Sequence, residues 1–192
     1  MRRLEKRSRQ RGSILLEFAL MISLLVFLGV GASMLGLNLD RQLGVTHLAR
    51  SAADLMRADA DLSNAGVRSA LLRAARGLRI STTANQSQGV VIVSKLERGA
   101  TGININKNVV VERHVIGNSA INASAIGTPA SVNADGTVNN YNSDVSAVAT
   151  LPNNMLLQSG QDLVVVEVYA MGDDIRFPGV VNIQKFRSII YQ

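Results

Sequence analysis

The longest apolar run in the chain extends from Phe18 to Leu39, 22 consecutive residues without a formal charge, softened only by Ser23, Ser33 and Asn38. As a helix it would be about 33 Å long, enough to cross the hydrocarbon core of a bilayer. From residue 41 to 62 the pattern turns amphipathic. Val45, Leu48, Ala52, Leu55 and Leu62 repeat at three and four residues, and Arg50, Asp54, Arg57 and Asp61 recur on another face as an expected ladder of weak ion pairs. Apolar run and stalk together predict one helix of roughly 50 residues. Ser63-Asn64 offers a break and an N-cap, after which Val67, Leu71, Ala74 and Leu78 predict a second helix.

Past residue 80 the period changes. Gly89–Val93 and Asn108–Val115 are rich in β-branched residues and predict strands, as do Asp144–Thr150, Leu163–Tyr169 and Ile183–Tyr191. Residues 116–143 are rich in Asn, Ser, Ala and Gly and predict a long surface loop with a weak hairpin at Asp135-Gly136. Loops of that length are uncommon without a role, which makes this one a candidate contact surface. Phe177-Pro178-Gly179 predicts a turn before the last strand. The expected class is α+β: a long N-terminal hydrophobic helix continuing into an amphipathic stalk, a second helix, then a small, mainly antiparallel sheet. The expected divisions are a basic leader at 1–12, a membrane helix at 13–40, stalk and second helix at 41–79, and a β-rich domain at 80–192.

Charge sharpens the reading of the first segment. Arg2, Arg3, Lys6, Arg7, Arg9 and Arg11 stand against Glu5 alone, so most of the formal +6 lies ahead of the apolar run. Positive charge before a first membrane helix holds that end in the cytoplasm, which predicts an N-in, C-out topology. It also gives the basicity a cause other than nucleic acid, which is not an expected partner. An ordinary signal peptide cleaved after Val30-Gly31-Ala32 is an alternative, but the apolar segment exceeds the usual 7 to 15 residues and the helical pattern continues past Leu39. The pair Arg2-Arg3 followed by further charges is a weak twin-arginine signal. An uncleaved anchor presenting a binding domain is a second alternative.

Glu17 is the unexpected residue, because a charge within a membrane helix costs about 2.5 to 3.5 kcal/mol on insertion scales. The series Gly12/Ser13-Ile14-Leu15-Leu16-Glu17-Phe18, with bases before and an apolar helix after, resembles the processing site of type IV prepilins. More narrowly, Glu17-Phe18-Ala19-Leu20 resembles the TadE/TadF-type pseudopilins of tight-adherence (Tad/Flp) pilus machinery. Asp40-Arg41-Gln42 with Leu48-Ala49-Arg50-Ser51-Ala52-Ala53 is similar to the segment that follows the membrane in the TadE family, and the region from Asp162 to Tyr191 is loosely similar to its C-terminal sheet. Ser23 stands where many members carry proline.

The resemblance implies cleavage by prepilin peptidase between Gly12 and Ser13, where glycine lets a protease backbone approach closely. The new α-amino group at Ser13 and the carboxylate of Glu17 are complementary, and between neighbouring subunits they would set register and recruitment, with Phe18 beside them. The implied partners are other pilins and pseudopilins, prepilin peptidase, an inner-membrane assembly platform and membrane lipid, in a hetero-oligomer. The implied location is the inner membrane and then the pilus or cell surface.

Reactive chemistry has little foothold. There is no cysteine, so no disulfide, thiolate ligand or cysteine nucleophile. His47 is expected on the stalk, and His114 on a strand face shared with Glu112, which is too few ligands for zinc. Asp173-Asp174 reads as a solvated turn, and neither a phosphate-binding loop nor a Gly-x-Ser-x-Gly motif is present. The expectation is no catalysis, cofactor or metal. Arg68, Arg73, Arg76 and Arg79 make the most basic patch after the leader, with an acidic partner or lipid head groups as candidate ligands.

Overall fold

The computed structural model describes residues 2–75, 77–172 and 185–192, and side chains from residue 14 onward. Helix α1 covers Arg2–Arg57 and helix α2 Ala65–Ala74. Four strands follow: β1 Gly89–Arg98, β2 Asn108–Gly117, β3 Asp162–Met171 and β4 Lys185–Tyr191. They form one sheet in the order β2-β1-β3-β4, with every neighbouring pair antiparallel. The chain divides into two compact units, Met1–Asp40 and Arg41–Gln192, with the boundary inside α1. The class is α+β, as the periodicities predict.

The second unit is built around a sheet that is apolar on both faces. On one face Val91, Val93, Ile116, Val164, Val166, Val168, Ala170 and Phe186 meet Val45, Leu48, Ala49, Ala52, Ala53 and Met56 of α1. Leu62, Leu71 and Leu78 complete that core. The stripe read as a stalk is therefore the core face of a helix. On the other face Leu96, Val110 and Val165 are covered by Ile126, Val138, Ala147, Ala149, Leu151 and Leu157 from the segment between β2 and β3. Double burial explains why β1 and β3 read as continuous runs of Val and Ile instead of alternating.

Several local expectations change. Helix α1 ends at Arg57, short of residue 62, and Asp59 adopts a positive φ of 52°. Asp61 leaves the helix and accepts hydrogen bonds from the Ser63 N–H (2.7 Å) and Oγ–H (2.5 Å), so it cannot extend a ladder along the helix. Among the described residues, Lys95 pairs with Asp162 (3.5 Å), His114 Nε2 lies 2.7 Å from Glu112 Oε1, and the ladder through Arg50, Asp54 and Arg57 is not formed. Asn64 caps α2 by accepting from the Gly66 N–H at 2.7 Å. That helix stops at Ala74, so Ala75 is buried and Ala74 exposed.

Residues 144–150 are not a strand. Val145–Ala147 is a 3-10 turn, and the segment touches the sheet through the single bridge Val109↔Val148. The connection thus runs from residue 118 to 161. Val132 pairs with Val138 around the Asp135-Gly136 turn, giving the weak hairpin, and Glu112 pairs with Thr137. The Arg113 N–H donates to the Gly136 carbonyl (2.6 Å) and the Val138 N–H to that of Val111 (2.9 Å). The open edge of β2 is thereby blunted, as exposed edges must be if they are not to recruit another strand. Phe177-Pro178-Gly179 and Ile183 lie outside the described residues.

One polar network ties this connection to the sheet. Glu167 is fully buried in β3 and accepts hydrogen bonds from the Ala125 N–H (2.7 Å), the Tyr169 hydroxyl (3.1 Å) and the Ser124 hydroxyl. Buried Arg113 donates to Ser94 Oγ and Ser124 Oγ, each at 3.1 Å. Burial, with Glu167 beside it, pushes the Tyr169 hydroxyl up to about 12. Burial also lowers the Arg113 guanidinium, against the opposing pull of Glu167.

Glu167→Ala should therefore destabilise the protein by about 3 kcal/mol, because it leaves Arg113 buried without a counter-charge. Urea unfolding of the full chain in detergent, followed by circular dichroism, measures this. A second prediction concerns acid. Asp135 is held below its ordinary value chiefly by the Thr137 N–H and hydroxyl, and Asp144 by the Ser146 hydroxyl and N–H. Depressed carboxylates contribute stability that is present above their unfolded value of about 3.9 and lost as pH falls through the folded one. Amide exchange in residues 133–146 should accelerate in that acid range relative to the strands, after correction for intrinsic rates.

Candidate functional site

The four residues assigned by sequence to processing and assembly, Gly12, Ser13, Glu17 and Phe18, all lie on the first unit. Gly12 and Ser13 fall within the helical backbone of α1, and their side chains are outside the described set. Glu17 and Phe18 are exposed on the same helix, Phe18 by 63%. Around them Ile14, Leu15, Leu16, Leu20, Met21, Leu24, Leu25, Val26, Phe27 and Leu28 are exposed as well. An apolar helix with no buried side in its own fold needs an apolar surrounding, since leaving such side chains in water forfeits about 1.5 to 3 kcal/mol each. Its two hydroxyls are satisfied within the helix, Ser23 Oγ donating to the Ala19 carbonyl and Ser33 Oγ to that of Gly29, both at 2.8 Å. That is the arrangement hydrocarbon demands, where water cannot supply partners. The segment is one N-terminal hydrophobic helix able to span a membrane or act as a signal sequence.

The order of elements, a long N-terminal apolar helix whose later turns pack on a four-stranded antiparallel sheet, is pilin-like. Comparisons with protein-family models, with curated proteins and with solved structures found no match.

Elsewhere the geometry is structural in character. His47 is exposed on α1. His114 is buried, with Nε2 2.7 Å from Glu112 Oε1, and Gly136 lies against its ring. Gly136 has φ +93°, and a Cβ there would fall 2.3 Å from His114 Cε1, so only glycine closes this turn over the imidazole. Among the described residues no group of three His, Cys, Asp or Glu is placed to hold a metal ion. Asp173 and Asp174 lie outside the described residues.

The long connection carries an apolar tip. Asn104, fully buried, donates from Nδ2 to the carbonyls of Tyr141 (2.8 Å) and Asp144 (2.6 Å). Asn108 joins the Met155 carbonyl (2.6 Å) and the Leu157 N–H (2.9 Å). These two side chains hold three loops together, and the loops expose Ile103, Ile105, Val145, Met155 and Leu156. Sequence reasoning placed the contact surface in residues 116–143. The exposed aliphatics at 103, 105, 145, 155 and 156 lie outside those residues, although isolated aliphatics among Asn and Gly are a visible signal. Sequence reasoning missed the buried Glu167 network, whose signal is a lone charge within Val164-Val165-Val166-Glu167-Val168.

Membrane insertion can be checked directly. Leu25→Lys should weaken insertion by about 2.5 to 3.5 kcal/mol. The measurement is the fraction resisting alkaline extraction from membranes, compared with the unchanged chain.

Proposed function

We propose that the chain is a minor pilin or pseudopilin of TadE/TadF type, which co-assembles with other pilins to initiate or cap a Tad-type pilus. The observation that carries this reading is an apolar helix exposed on all sides that bears Glu17 one turn from Ser13 and continues into a core helix. In the assembly, prepilin peptidase removes the leader after Gly12 and frees the amine of Ser13. Glu17 of one subunit then neutralises the amine of its neighbour and fixes register, because an unpaired carboxylate in lipid is expensive. The protein works as a structural subunit and catalyses no reaction. Its partners are pilins, pseudopilins, prepilin peptidase and an inner-membrane assembly platform, and it is displayed from the inner membrane towards the pilus or cell surface.

A second reading, an uncleaved anchor, rests on the same apolar helix. Release as a secreted protein by cleavage after Ala32 is the weaker alternative, because the helix does not end there but runs on to Arg57. The N-terminal residue and intact mass of the protein from native membranes separate the three. A chain beginning at Ser13 supports the pilin reading, one beginning at Met1 or Arg2 sinks it in favour of the anchor, and one beginning at Ser33 means a signal peptide. Replacing Gly12 with a bulky residue should block processing. Glu17→Ala should leave insertion intact while abolishing recruitment into the assembled complex, read by co-purification of the other pilins.

A further inference from the structure

Among the described residues, the two ends of the sheet in the second unit carry different charge. Take first the end where the chain enters this unit. Gln42 Nε2 donates to the Arg187 carbonyl at 3.2 Å, bringing the start of the unit to β4. Gly44 lies against Leu78, 3.6 Å from an ideal Cβ position. Arg79, next in the chain, reaches Gln88 Oε1 at 3.4 Å and accepts the Gln88 N–H at 2.9 Å. The Gln88 carbonyl accepts from the Met171 N–H at 2.8 Å, and Met171 pairs with Lys185, two residues from Arg187. This closed circuit brings Arg41, Arg79, Lys185 and Arg187 to one end of the domain, and Arg73 lies in the last turn of α2 leading towards it.

Arg73, Arg79, Lys185 and Arg187 are exposed, Lys185 donating from Nζ to the Ile121 carbonyl at 2.8 Å, and the apolar Leu43 (59%) and Met171 (40%) of the same end are exposed as well. Asp40 is the described acid adjoining this ring in sequence. At the opposite end of the sheet charges are mixed: Asp59, Glu97 and Asp162 stand among Arg57, Lys95 and Arg98. Of the four arginines read together in the sequence, Arg68 turns inward, its Nε donating to the Leu62 carbonyl at 2.5 Å, and Arg76 lies outside the described residues.

We infer that this basic ring is a docking surface for the anionic head groups of the membrane, so that the folded domain rests on lipid through Arg73, Arg79, Lys185 and Arg187. Two features select lipid as the occupant. Exposed aliphatic side chains, Leu43 and Met171, lie at the same end of the sheet as the bases, the pairing that suits a head-group and acyl boundary. The ring also begins at Arg41, immediately after the apolar segment ends at Leu39, so the backbone alone keeps it within reach of any bilayer that holds that segment. The inference rests on the membrane reading above, though not on cleavage or assembly.

The test uses the full chain, which has no cysteine of its own. A fluorophore on Thr82→Cys, exposed and close to Arg79, is compared with one on Asn106→Cys at the opposite end, in nanodiscs whose lipids carry a head-group quencher. The expected result is quenching at Thr82→Cys in phosphatidylcholine with phosphatidylglycerol, weak quenching in phosphatidylcholine alone, and none at Asn106→Cys in either. Each base near an anionic surface is worth roughly fivefold in binding. Arg79→Glu with Arg187→Glu should therefore bring the anionic discs down to the neutral level. High salt should do the same to the unsubstituted ring, an arm that needs no second fold. Equal quenching in both lipids, or quenching indifferent to salt, overturns the inference. A chain that never co-purifies with the discs overturns the membrane reading along with it.

Discussion

A sheet that is apolar on both faces cannot stand alone, and the folded part of this protein is organised by that constraint. Val91, Val93, Val166 and Val168 need one cover, and Leu96, Val110 and Val165 need another. The first is supplied by the later turns of α1. The second is supplied by residues 118–161, a connection with little regular structure. Because that cover is irregular, its backbone needs partners that a helix would provide for itself. Asn104, Asn108, Asp135 and Asp144 provide many of them, while Glu167 fastens the cover to the sheet from below.

What was legible in the sequence follows from the same physics. The apolar helix, the core stripe through Val45, Leu48 and Ala52, and four of the five expected strand regions are all written in hydrophobic period, which is local. Asp144–Thr150 misled because its alternation, with Val145 exposed and Ala147 and Ala149 buried, serves to cover a sheet and not to join one. The expected ladder lost Asp61 for a related reason: a helix that stops at Arg57 no longer carries that residue on its face. Glu167, and the joining of Lys185 and Arg187 to Arg73 and Arg79, were not legible, because their meaning depends on which distant segments meet. No local pattern brings Gln42 to Arg187.

The candidate site differs in kind. Gly12, Ser13, Glu17 and Phe18 are read from a motif in a segment whose exposed side chains form no core of their own. Such a site acquires geometry only in an assembly. The structure contributes its setting: a segment whose exposed apolar side chains call for lipid or other helices, joined to a domain whose core includes the continuation of the same helix.

That last arrangement has a mechanical consequence. Any force along the polypeptide at Asp40 passes through a few bonds to Val45 and Leu48, which are fully buried in the core. A pull on the anchor therefore loads the interdigitated side chains between helix and sheet, with Leu48, Ala52 and Met56 sharing the strain. Helix α1 runs without a break through Asp40 into that core. Under such a load the domain would be held together by the same contacts that make it fold.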